Sequence, residues 1–173
     1  MNTNITINIL VVEDTRIYRE SFCELLQSCF PQARIRAAED GTSALSLTRQ
    51  HQFDLIILDY QLKSITGGDV VRHLRQRASV TGTAMPVIVV MSSQPDISIF
   101  ARTMGAAAFL GKPVFADEIE NILGPILAQI AAAAQPDGSN RTTASDTLPQ
   151  PARSPRSDGT RPLLWRVRSR SVG

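Results

Sequence analysis

Short apolar runs alternate with longer segments of helical periodicity over the first 135 residues. Ile7 to Val12 is rich in β-branched side chains and reads as a strand. Between Ile17 and Phe30 the apolar positions Ile17, Phe22, Leu25, Leu26 and Phe30 are assigned to one helical face, and Pro31 ends the segment. Ala33 to Ala37 is a short second strand. Gly41 to Gln50 is a second helix with Ala44, Leu45 and Leu47 turned inward. Phe53 to Leu58 is almost unbroken apolar sequence, as in a strand covered on both faces, and it stops at Asp59. Gly67-Gly68 then opens a helix from Asp69 to Arg77, with Val70, Val71 and Leu74 on its apolar side. Val87 to Met91 is the fourth strand and Pro95 to Met104 a weaker helix. Ala106 to Leu110 is a short strand of small residues, and the last helix begins near Asp117.

Five strand–helix units in succession predict an α/β domain, a doubly wound five-stranded parallel sheet with helices on both faces. The first strand is interior, because the strands beside it are themselves buried runs. In open sheets of this kind ligands bind beyond the C-terminal ends of the strands, where the strand order reverses. The residues that follow each strand are therefore the ones to inspect. The domain is assigned to residues 1–135. From Pro136 onward Pro, Ser, Thr, Arg, Asp and Gly dominate, and residues 136–173 are read as a disordered tail that cannot bury enough apolar surface to offset its ordering entropy.

Composition adds little until it is divided along the chain. The net charge of the 173 residues is +2. Residues 1–135 carry 11 Lys/Arg against 13 Asp/Glu, and residues 136–173 carry 7 Arg against 3 Asp, so the basic character lies in the tail. Cys23 and Cys29 show no metal-ligand or disulfide spacing and read as apolar positions, consistent with a reducing cytoplasm. No basic segment precedes the first apolar run, as a signal peptide would require, and no apolar stretch approaches the length needed to span a bilayer. A membrane partner is not expected.

The strand ends carry the chemistry. Glu13 and Asp14 follow the first strand, Asp59 the third, Ser92 and Ser93 the fourth, and Lys112 the fifth, with Pro113 after it. Taken singly, each has an ordinary reading. Glu13-Asp14 is a helix N-cap, Asp59 and Ser92 are turn residues, and Lys112 is solvated. Taken together, they place three carboxylates, a hydroxyl and an ammonium on one sheet edge. Carboxylates packed so closely repel one another, and a hard divalent cation such as Mg2+ relieves that repulsion. A metal, a lysine and a serine hydroxyl around a central carboxylate form a site for phosphoryl transfer, with Asp59 as nucleophile.

The segments Leu10-Val11-Val12-Glu13-Asp14, Asp54 to Asp59, Pro86 to Ser93 and Gly105 to Pro113, in this order, resemble the receiver domain of bacterial two-component response regulators. The resemblance implies a flavodoxin-like sheet of order 2-1-3-4-5. It implies that Asp59 accepts phosphate from a histidine kinase or a histidine phosphotransfer protein, and that signalling reaches a downstream effector by protein contact. It implies Mg2+ held by Asp14, Asp59 and the backbone carbonyl of Gln61, with Glu13 acting through water. Lys112 and Ser92 would contact the phosphoryl group, Phe109 would switch behind it, and the Lys112-Pro113 peptide would be cis.

Phe109 stands where many members carry Tyr, Lys63 where many carry Pro, and Thr66-Gly67 replaces a common Asp-Gly. The stretch from Ser92 to Lys112 is short, which points to a truncated or irregular fourth helix. A DNA-acting transcription regulator is the alternative, its output domain truncated or replaced by the basic tail with Arg166, Arg168 and Arg170. No helix-turn-helix pattern is visible there, so DNA is not the expected partner. A phosphatase with an aspartyl-phosphate intermediate would need a general acid two residues beyond Asp59, where Gln61 cannot transfer a proton. Self-phosphorylation and slow autodephosphorylation at Asp59 are the only catalysis expected. A dinucleotide site is disfavoured by Glu13-Asp14 in the first turn, where phosphates need glycines.

Overall fold

A computed structural model of the chain describes residues 6–63 and 65–134. Strands and helices alternate as β1 (Asn8–Val12), α1 (Arg16–Cys29), β2 (Arg34–Ala38), α2 (Gly41–Gln50), β3 (Leu55–Asp59), α3 (Gly67–Thr81), β4 (Val87–Ser92), α4 (Ile97–Thr103), β5 (Ala108–Gly111) and α5 (Ala116–Ala133). The sheet is parallel throughout, in the order β2-β1-β3-β4-β5, the order the resemblance implied. Its register determines what meets at the top. Val12 lies opposite Leu58, Asp59 opposite Met91, and Ser92 opposite Gly111. The residues that end β1, β3, β4 and β5 therefore share one edge.

Alternation along each strand builds two cores. On one face Ile9, Val11, Leu55, Ile57, Val89, Met91 and Leu110 pack with Phe22 and Leu26 of α1 and Ile119, Leu123 and Leu127 of α5. On the other, Leu10, Val12, Ile56, Leu58, Ile88 and Val90 pack with Ala44, Val70, Val71, Leu74, Ile97 and Ala101. Every residue of β3 is buried, which explains its unbroken apolar sequence. Each large aliphatic side chain so buried contributes about 1.5–3 kcal/mol.

Two helices differ from their predicted form. Ile17 is 78% exposed and does not join the inner face of α1. At 3.6 residues per turn it lies about half a turn from Leu26, so its apolar character misplaces it. The third helix runs one turn past Arg77, to Thr81, and closes at Gly82, whose φ of 68° is the left-handed cap that glycine favours. The fourth helix has 7 residues, in keeping with the short segment noted above. Side-chain caps fasten two helix starts: Asp40 with Ser43 at α2, and Thr66 with Asp69 at α3. Among the described residues no helix is long and apolar enough to cross a membrane. The expected disorder of residues 136–173, and the basic run within them, lie outside the described residues.

Candidate functional site

Buried polar or charged side chains are costly unless partnered. Among the described residues they are Glu13, Asp59 and Ser92, and all three end strands on the same edge. Glu13 follows β1, where its amide donates to the Ala38 carbonyl at 3.1 Å. Its Oε1 accepts from the Thr15 amide at 3.0 Å, and its carbonyl accepts from Arg19 Nη1 at 2.7 Å. The N-cap of α1 is Thr15, so neither Glu13 nor Asp14 takes that place. Asp14 is half-buried, and its Oδ1 accepts from the Thr15 hydroxyl at 3.3 Å.

Asp59 ends β3. Its Oδ1 accepts from the Gln61 amide at 3.0 Å, which sets Gln61 beside the carboxylate, with its side chain toward solvent. Its Oδ2 accepts from Lys112 Nζ at 2.6 Å, and the same ammonium donates to Glu13 Oε2 at 2.5 Å. Lys112 is carried there by β5 and by its amide, which donates to the Ser92 carbonyl at 3.0 Å. The Lys112-Pro113 peptide is cis. Ser92 Oγ accepts from the Gln94 amide at 3.1 Å. Phe109 is half-buried and packs with Tyr60 and Met104 against the second core. Gly67 is required by close approach. A Cβ there would stand 2.8 Å from the Asp59 carbonyl oxygen, so α3 could not start so near the site with any other residue.

One ammonium serves two buried carboxylates. Burial raises the Asp59 pKa above its ordinary value; the Lys112 and Gln61 hydrogen bonds only partly reverse this, and the neighbouring Glu13 charge adds to the rise. Burial would lower Lys112, but the bonds to Asp59 and Glu13 outweigh it and its pKa is raised. Oxygens of Glu13, Asp14 and Asp59 lie within 4.8 Å of one another. An all-oxygen carboxylate set of that span fits a hard divalent cation.

Three further side chains border the site without a strand-end position to mark them in the sequence. Lys63 Nζ is 3.9 Å from Asp14 Oδ2. Arg19 holds the Glu13 carbonyl. The Tyr18 ring centroid lies 4.6 Å from Lys112 Nζ. Arg19 and Tyr18 were detectable as the residues one turn into the helix that follows Glu13-Asp14. Lys63 was noted only as a loop departure.

The match to known proteins agrees with this geometry. The response regulator receiver domain family matches residues 9–124, and the chain belongs to that family, whose fold is a phosphoacceptor rather than a conventional enzyme. It is 33% identical over 129 residues to the sensor histidine kinase AruS of Pseudomonas aeruginosa, covering 74% of this chain and 13% of that one. It is 33% identical over 121 residues to the glycerol metabolism activator of Pseudomonas putida, covering 66% and 53%. The response regulator MprA of a Mycobacterium species is 29% identical over 144 residues, covering 82% and 60%. The chain thus spans 13% to 60% of the length of these three relatives. Among solved structures, the response regulator TrrA of Thermotoga maritima in complex with Mg2+ and BeF is 25% identical, with a TM-score of 0.59 over 72% of this chain and 99% of that one. The receiver domain of Saccharomyces cerevisiae Ssk1, crystallised with the phosphotransfer protein Ypd1, shares the fold at 23% identity and a TM-score of 0.63, over 72% and 92%.

Proposed function

We propose that Asp59 is the phosphoacceptor of this receiver. The observation that carries the reading is the shared lysine: Lys112 holds Asp59 and Glu13 at 2.6 and 2.5 Å on the edge where the parallel sheet presents its ligands. Asp59 Oδ attacks the phosphorus of a phosphohistidine on a histidine kinase or phosphotransfer protein. The new O–P bond forms as the N–P bond breaks, and the imidazole leaves with the bonding pair. Asp14, Asp59 and the Gln61 carbonyl would hold Mg2+, with Glu13 acting through water. When bound, the ion neutralises phosphoryl oxygens during in-line transfer. Lys112 donates to the phosphoryl group as a point charge, and Ser92 offers its hydroxyl.

The receiver occupies residues 1–135, with 136–173 a separate basic segment. Output passes to an effector protein when Ser92 and Phe109 shift and reshape the face of α4, β5 and α5. Self-phosphorylation from small donors and slow autodephosphorylation occur at the same carboxylate. A cytoplasmic setting suits Cys23 and Cys29, both half-buried free thiols.

Acetyl phosphate with Mg2+ tests the assignment by intact-mass measurement. Wild type gains one phosphoryl group that hydroxylamine removes, and Asp59→Asn gains none. Undiminished labelling of Asp59→Asn would overturn the assignment.

A further inference from the structure

Lys112 has three N–H donors, and two of them are given to carboxylates with other duties. Glu13 and Asp59 belong to the acidic cluster, and Asp59 itself is the proposed nucleophile. Whatever binds or modifies those carboxylates draws them away from the ammonium. Among the described residues the face of Tyr18 is the remaining partner, its centroid 4.6 Å from Nζ, inside the range of a cation–π contact. It is neutral, so it competes with neither a cation nor a phosphoryl group.

The ring is held firmly. Tyr18 stacks on Phe22 one turn along α1, with centroids 6.2 Å apart and planes within 8°. It packs against the core beneath β1, β3, β4 and β5. Its hydroxyl is buried, and the polar group that meets it is the Val114 backbone. What Tyr18 turns toward the ammonium is the face of its ring.

We infer that Tyr18 is a positioning residue that steers Lys112. Its ring face keeps the ammonium at the site while Asp59 and Glu13 exchange it for other partners. The inference rests on the phosphoacceptor reading, in which Lys112 contacts the phosphoryl group.

Beryllofluoride, a phosphoryl mimic, is titrated in Mg2+ against the full chain carrying Tyr, Phe or Leu at position 18. Mg2+ affinity is measured separately, and the Lys112 side-chain protons are followed by NMR. Tyr18→Leu weakens beryllofluoride binding about threefold to thirtyfold, the range that a partly desolvated cation–π contact spans. Its Mg2+ affinity stays within about twofold of wild type, because the acidic cluster is Glu13, Asp14 and Asp59 and does not include Tyr18. Tyr18→Phe restores beryllofluoride binding and retains the upfield ring-current shift of the Lys112 protons, which Tyr18→Leu loses. If Tyr18→Leu does not fold, Tyr18→Met fills a similar volume without a ring face and takes its place. Equal beryllofluoride affinity in wild type and the ringless variant overturns the inference alone, as does a Phe variant no better than Leu. A wild type that ignores beryllofluoride overturns the phosphoacceptor reading, and this inference with it.

Discussion

Two aspartates sit at opposite ends of the same buried strand and are held in opposite ways. Asp54 precedes β3. Its carboxylate accepts from the Asn8 amide at 2.7 Å and the Asn8 side chain at 3.4 Å, while its own backbone bonds Asn8 and Val87. Those donors are neutral, and the shorter belongs to the main chain. Asp59 ends β3 and is held by a movable cation that it shares with Glu13. Releasing Asp54 would disturb the starts of three strands. Freeing Asp59 Oδ2 asks only that one lysine side chain move, while Oδ1 keeps the Gln61 amide. A carboxylate satisfied by fixed neutral donors is structural, whereas one satisfied by a mobile charge is available for chemistry.

The contrast breaks if the two positions respond alike. Acetyl-phosphate labelling falls to background in Asp59→Asn and stays at the wild-type level in Asp54→Asn, since Asp54 lies at the far end of the strand. Labelling lost at both positions would mean that the sheet edge, rather than the Asp59 carboxylate, controls acceptance. Removing the cation comes next in size. Lys112→Ala leaves Glu13 and Asp59 buried side by side with no ammonium between them, at a cost of about 3 kcal/mol in urea unfolding with chelator present. Mg2+ recovers more stability in that variant than in wild type. A Lys112→Ala protein as stable as wild type in chelator would show that the ammonium is not the charge partner.

At the other end of β3 the loss is smaller. Asp54→Ala removes the acceptor for the Asn8 amide and costs about 1 kcal/mol by the same urea measurement, with no dependence on Mg2+. A Mg2+-dependent loss there would erase the distinction between the two ends.

Much of this arrangement was legible in the sequence, for identifiable reasons. An apolar run ending in Asp59 marks a strand buried on both faces, and the order of strands and helices follows from periodicity alone. What periodicity does not carry is the pairing of Lys112 with Glu13, 99 positions away. That contact exists only once the register of β1, β3, β4 and β5 is set. Tyr18 was missed because Ile17, its neighbour, was assigned to the inner face by hydrophobicity. The helix turns about 100° between them, and it is Tyr18 that faces the core. The last turn of α3 was missed because Val80 there is 80% exposed and adds no apolar stripe. The helix simply continues until Gly82.

pH separates the two kinds of carboxylate by sign. Asp40, the half-buried N-cap of α2, is a counterpart of Asp54: its charge is met by the Ser43 amide at 2.6 Å and by the Ser43 hydroxyl. Those bonds hold its pKa below the usual carboxylate value, the amide contributing most. A depressed folded pKa means that its contribution is present above the unfolded value and is lost as pH falls through the folded one. Asp59 runs the other way. Burial raises its folded pKa, so the folded state holds that proton more tightly than the unfolded chain does. Stability from Asp59 therefore falls as pH rises from the ordinary carboxylate value through the raised one. In chelator, Asp59→Asn flattens that decline. Asp40→Ala costs about 1 kcal/mol at neutral pH, a typical cap loss, and the difference from wild type shrinks as the solution is acidified. Urea midpoints taken across pH resolve the two slopes. A decline in the same direction for both would mean that Asp59, like Asp40, is held by its hydrogen bonds more than it is strained by burial.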